Sequence, residues 1–161
     1  MRLYYFRDTW TVQAPRDEVW NLIGDPTAYP RWWSIYQEAR WLKQSDGVGG
    51  LARLKFRVLL PYSLTIVTET TLSEPPHLAE GTVSGELVGS WRWRLEAIAG
   101  GTQVTFEEWV GTNKRILDLL SPLLYKLFEL NHRIAARRGA QGMRAYFARA
   151  QGGEQPIPVR E

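Results

Sequence analysis

No cysteine occurs in the 161 residues, which excludes a disulfide framework, a thiol nucleophile and any thiolate metal site. Histidine is nearly as scarce: His77 and His132 are the only two, so a histidine-rich metal centre is excluded as well and neither a metal nor a cofactor is expected. Long apolar runs are missing too. The opening Met1-Arg2-Leu3-Tyr4-Tyr5-Phe6-Arg7-Asp8 is too short for a signal peptide, and Leu117–Phe128 is interrupted by Asp118, Ser121, Pro122 and Lys126. A cytoplasmic protein is the expectation, although the lack of cysteine does not by itself identify a compartment. The chain also lacks a Ser-His-Asp triad, a phosphate loop, metal-ligand spacing, a repeat of fixed period and any low-complexity tract.

What is abundant is aromatic: 8 Trp, 7 Tyr and 5 Phe. Rings of this size remove large areas from water when buried, so core packing accounts for most of them, and composition alone does not say whether some line a cavity instead. The length suits a single domain, expected over residues 1–150, with 151–161 as a flexible tail carrying Pro156 and Pro158. The net charge of +3 is unevenly placed, because the stretch from Asn131 onward holds six Arg against two Glu. Dispersed arginines of this kind suit a solvated helix face, and no basic-aromatic motif accompanies them, so no nucleic acid is expected.

Alternation along residues 2–12 reads as a strand with Tyr4, Phe6, Trp10 and Val12 on one face, and it places Asp8 on that apolar side. Ala14-Pro15-Arg16-Asp17-Glu18 starts a short helix, with Pro15 suited to the first helical position and Val19, Trp20, Leu22 and Ile23 forming its apolar face. Gly24-Asp25-Pro26 ends it, and a second brief helix or turn follows over Thr27–Trp33. After an extended stretch at Ile35–Leu42, five strands are expected at Leu51–Leu59, Tyr62–Ser73, Leu78–Leu87, Ser90–Ile98 and Thr102–Gly111, forming an antiparallel meander. Its apolar face takes Phe56, Ile66, Thr68, Val83, Trp91, Trp93, Phe106 and Glu108, and the opposite face takes charges such as Arg92 and Glu107 as solvated cross-strand partners.

From Asn113 to Ala150 the period becomes helical, with Ser121-Pro122 able to kink the segment or cap a new helix. A broad apolar arc over Leu123–Ile134 implies contact on more than one side. Beyond it Ala136, Gly139, Gly142, Met143 and Phe147 fall together, small enough in places to let the helix approach a sheet closely.

A strand followed by Ala14-Pro15-x-x-x-Val19-Trp20 and Gly24-Asp25-Pro26-x-x-Tyr29-Pro30-x-Trp32-Trp33 resembles the opening of START-like proteins of the SRPBCC superfamily, the polyketide cyclase/dehydrase and lipid-transport proteins. Gly85-Glu86-Leu87-Val88-Gly89-Ser90-Trp91, Gly100-Gly101-Thr102-Gln103-Val104-Thr105-Phe106-Glu107 and the terminal helix extend the resemblance over roughly residues 2–149. It implies an α+β helix-grip fold: a curved antiparallel sheet wrapped around a long C-terminal helix, two short helices after the first strand, and an internal cavity for an apolar ligand. Gly81 and Gly85 lie on the face of the large aromatics, so their missing side chains could leave that volume between Phe56, Trp91, Trp93, Phe106 and the Leu123–Ile134 helix.

Glu108 falls between Phe106 and Val110 on the apolar face, where a carboxyl either finds a partner or is pushed toward its protonated form. With Asp8 on the same side and His132 on the helix, these three are the candidate acid/base residues; the plainer alternatives are a bulge that turns either carboxyl outward or a fixed internal hydrogen bond, and for His132 a capping or surface role. Tyr36, Thr68, Thr70 and Tyr125 could supply hydroxyls, and Tyr125 and Phe128 an apolar helix contact. The leading expectation is binding or transport of a small hydrophobic or aromatic molecule, whether lipid, polyketide or isoprenoid-like. A cyclase/dehydrase-type enzyme using the same cavity and a peripheral membrane or quinone-binding protein are the alternatives, with catalysis left open. The broad helix arc could equally bury against a second copy, making a homodimer.

Overall fold

The computed structural model describes residues 3–112 and 121–153, with side chains placed from Tyr125 onward in the last segment. Strand β1 (Tyr4–Val12) leads into helix α1 (Arg16–Gly24), a 3-10 turn at Pro26–Ala28 and the single turn of α2 (Tyr29–Trp32). Six strands follow: β2 (Tyr36–Lys43), β3 (Leu51–Phe56), β4 (Leu64–Glu74), β5 (Leu78–Gly85), β6 (Val88–Ile98) and β7 (Gly101–Gly111). Helix α3 (Ser121–Gln151) closes the described chain. The seven strands form one antiparallel sheet in the order β1-β7-β6-β5-β4-β3-β2, so the first strand pairs with the last and the remainder is a meander. This is the helix-grip arrangement. The expected helical stretch Asn113–Leu120 and the tail beyond Gly153 lie outside the described residues, as do the side chains of Leu123 and Leu124.

Strand parity follows the sequence closely. Phe6, Trp10 and Val12 are buried on the inner face of β1, with Asp8 half-buried among them. Leu54 and Phe56, Ile66, Trp93 and Leu95, and Val104 and Phe106 carry the same face across the sheet. On the outer face, Arg92 pairs with Glu80 at 2.6 Å, while Glu107, expected to be solvated, is only 7% exposed. The Tyr5 hydroxyl donates to it at 2.6 Å and the Arg92 guanidinium lies 3.5 Å away, and these neighbours hold its carboxyl below the usual range despite burial.

Several local expectations are corrected. Pro15 stands before the helix rather than in it, with ψ at 143° and its carbonyl accepting from the Glu18 and Val19 amides; Arg16 is the first helical residue. Strand β3 ends at Phe56 instead of Leu59, short of Pro61, which has no N–H to give a ladder; Leu59 and Tyr62 are left exposed, and the Leu59 amide is taken by the Asn131 side chain. Gly139 and Gly142 of α3 stand against the end of α2, where a sheet was expected. A Cβ on Gly142 would stand 1.5 Å from the Trp32 carbonyl oxygen, and one on Gly139 2.8 Å from the Trp33 ring. Nor does the broad arc bury on every side, because Tyr125, Leu127 and Leu130 face solvent.

Candidate functional site

Between the inner face of the sheet and the α1–α2 segment lies a cavity of ≈ 600 Å³. Its wall on the sheet side takes Ile66 and Thr68 from β4, Ala79 and Val83 from β5, Trp91 and Trp93 from β6, and Phe106 from β7. Opposite stand Trp20 and Ile23 of α1 and Tyr29 and Trp33 of the α2 segment, with Tyr36 and Trp41 of β2 closing one side. Asn21, Asp25, Gln44, Ser45, Asp46 and Ser73 form a polar margin, where Asn21, Gln44 and Asp46 are exposed. The cavity is therefore apolar and aromatic inside and polar at its rim, the ordinary make-up of a small-molecule site.

Three of the wall rings are fixed by a polar handle. The Trp91 indole N–H donates to Thr68 Oγ1 at 2.6 Å, and the ring lies over Gly81, where a Cβ would come within 2.3 Å of it. Gly81 thus seats a tryptophan; it does not create the vacancy expected there. Gly85 does not create one either, since it sits at φ 109° beside the β4 backbone, with Thr65 O 3.0 Å from where its Cβ would be. The Trp33 indole donates to the Ala135 carbonyl of α3 at 2.8 Å and packs edge-on against Trp93 and Phe106. The Tyr29 hydroxyl donates to the Ile23 carbonyl at 2.9 Å. Burial pushes the phenols of Tyr29 and Tyr36 above their ordinary range, for Tyr36 with help from Tyr29 and the Glu108 charge. Both remain neutral hydrogen-bond donors at physiological pH rather than bases.

The second feature is the histidine. His132 presents Nδ1 to Glu108 Oε1 and Nε2 to Asp8 Oδ2, and its ring stacks on Phe6 with centroids 4.3 Å apart. Register explains the meeting: Phe6 pairs with Glu108 and Asp8 with Phe106, so the two carboxyls sit diagonally on neighbouring strands and the helix inserts the imidazole between them. Burial alone would lower its pKa, but the hydrogen bonds and charges of Asp8 and Glu108 outweigh that and push it up to about 9. With a carboxylate at each nitrogen, both nitrogens act as donors and the ring is an imidazolium.

The three candidate acid/base residues are brought together by the fold, but away from the cavity wall. Asp8, Glu108 and His132 do not line the cavity, although Glu108 pairs in register with Trp91, which does. Of the expected ligand contacts, Tyr36, Ile66, Thr68, Val83, Trp91, Trp93 and Phe106 line it. Phe56 is buried against Tyr36, Gly81 lies beneath Trp91, and Tyr125 and Phe128 pack on Tyr4 near the far end of β1. The cavity sits under α1 and α2 instead of under Leu123–Ile134, so Trp20, Trp41, Tyr29 and Trp33 were missed as wall residues. The signal was present in the Gly24–Trp33 motif, whose Tyr29 and Trp33 belong to the wall and whose Asp25 reaches the rim. Among the described residues no cluster could hold a metal ion, and no helix is long and apolar enough to cross a membrane.

Residues 6–148 match the polyketide cyclase / dehydrase and lipid transport family. The chain belongs to that family. Among solved structures, the family member is similar to the ZhuI aromatase/cyclase from Streptomyces sp. R1128 at 18% identity and a TM-score of 0.79, over 96% of this chain and all of the other (100%). A protein of Thermus thermophilus gives 16% identity and a TM-score of 0.72 over 89% of this chain and 99% of that one. The di-domain ARO/CYC BexL gives 16% and 0.67 over 88% of this chain and 50% of its own length. At such identities these likenesses establish the shared fold. No curated protein matches this cyclase/dehydrase family member in sequence.

Proposed function

We propose that the chain binds a small hydrophobic or aromatic molecule, of lipid, polyketide or isoprenoid-like character, in the cavity under α1 and α2. The observation that carries this reading is the ≈ 600 Å³ space walled by Trp33, Trp91, Trp93 and Phe106, whose rings are immobilised by packing and by the hydrogen bonds to Thr68 and Ala135. Preset aromatic walls lower the ordering cost of taking up a flat guest. Family membership supports the same reading, since the family comprises both cyclases and lipid carriers. Proton abstraction from the guest has less support, because the wall phenols are neutral donors and the imidazolium with its two carboxylates is not part of the wall. The Tyr36 phenol suits a carbonyl or hydroxyl on the guest, while the Tyr29 oxygen, its proton given to Ile23, can accept from a hydroxyl.

The neutral fluorophore N-phenyl-1-naphthylamine tests the reading. Saturable one-to-one enhancement is expected with the native chain, and Val83→Trp, which fills the cavity from β5, removes it while the melting temperature holds. No saturable binding, or binding indifferent to that substitution, overturns the assignment.

A further inference from the structure

Two carboxyl groups stand at the rim of the cavity, and Lys43 Nζ lies close by, 3.8 Å from where a Cβ on Gly49 would be. Asp25, where the 3-10 turn begins, and Asp46, in the β2–β3 turn, are the rim's charged members, and among the described residues no Lys, Arg or His lines it. The remaining rim groups are neutral amides and hydroxyls: Asn21, Gln44, Ser45 and Ser73. The rim is built where Gly49 and Gly50 bond to Thr70, toward the β4 terminus that pairs with Leu78.

Resting on the binding function proposed above, we infer that this cavity is charge-selective: it takes neutral or cationic aromatic guests and rejects anionic ones. A carboxylate or phosphate moving into the space would leave water for an apolar wall with no cation among its described lining residues, and would approach two carboxyl groups at the entrance. A hydroxyl or carbonyl meets phenol, amide and hydroxyl partners there. A protonated amine meets Asp25, Asp46 and the faces of Trp20, Trp41 and Trp91, which favour cations through their ring quadrupoles. Free fatty acids and phosphorylated isoprenoids are thereby excluded from the guest class, while uncharged phenolic and polyketone molecules and aromatic amines remain in it.

Three probes of one shape test this by titration calorimetry at pH 7 and low salt: naphthylmethanol, naphthylmethylammonium and naphthoate. The alcohol is expected to bind, the ammonium at least as tightly, and naphthoate at least ~10-fold more weakly than the alcohol. Asp46→Asn, at an exposed turn position, should narrow the gap between alcohol and carboxylate, and Asp25→Asn should narrow it further. Naphthoate binding within about threefold of the alcohol overturns the charge selectivity and leaves the binding function standing. If none of the three binds, the binding function fails and the selectivity falls with it.

Discussion

Between Gly139 and Phe147 the long helix lies so near α2 that a single added methyl group would strike the Trp32 carbonyl, whereas between Tyr125 and Ile134 it is anchored by one imidazolium set between two carboxylates. In the first region Met143 and Phe147 are buried, the Trp33 indole is tied to Ala135, and Arg144 and Gln151 donate to the backbone of residues 11 and 13. In the second, Tyr125 and Leu130 are 43% and 46% exposed and the buried polar group is His132. One half is held by shape and the other by charge. Shape complementarity is indifferent to pH, while a charged clasp has a titration curve, so the same helix is seated rigidly at one end and conditionally at the other.

Four measurements would break or sharpen that contrast. The largest loss is expected from Met143→Ala, which empties a fully buried site in the shape-held half and should cost about 2–5 kcal/mol in denaturant unfolding. Next is the pH dependence of the clasp. The folded pKa of His132 is raised from 6.5 to about 9, so its contribution is complete below pH 6.5 and lost as the pH rises through about 9. The fall should reach at most ~3 kcal/mol and be flattened in His132→Gln, as read from unfolding curves across that window. An unchanged pH profile in that variant would remove the charge-held half of the argument. Gly142→Ala, which forces a Cβ against the Trp32 carbonyl, should cost about 1–3 kcal/mol at every pH, a loss seen as a lower melting temperature. Leu130→Ser, on the exposed face of the charge-held half, should stay within about 0.5 kcal/mol of the native chain.

Much of this was legible in the residues because strands repeat every two positions. Parity alone put Asp8 and Glu108 on the inner face, and one apolar-phase histidine on a helix completed the cluster. What parity does not carry is where a helix touches. Gly139 and Gly142 announced a close approach, expected toward a sheet, and the partner that meets them proved to be α2, so the vacancy lies elsewhere than beneath the first half of α3. Gly81 misled for a related reason: a missing side chain leaves room, and the neighbouring Trp91 took it. The family motif at Gly24–Trp33 held the better clue, because its Tyr29 and Trp33 rings belong to the wall.

Trp33 belongs to both stories. Its ring forms part of the cavity wall, its N–H is bonded to a helix carbonyl, and its face sets the distance to Gly139. A guest pressing on that indole is also pressing on the seat of the helix, so the protein carries its own optical gauge. The part of the ultraviolet emission that Trp33→Phe removes from the eight-tryptophan total reports occupancy and closure together, with no label attached.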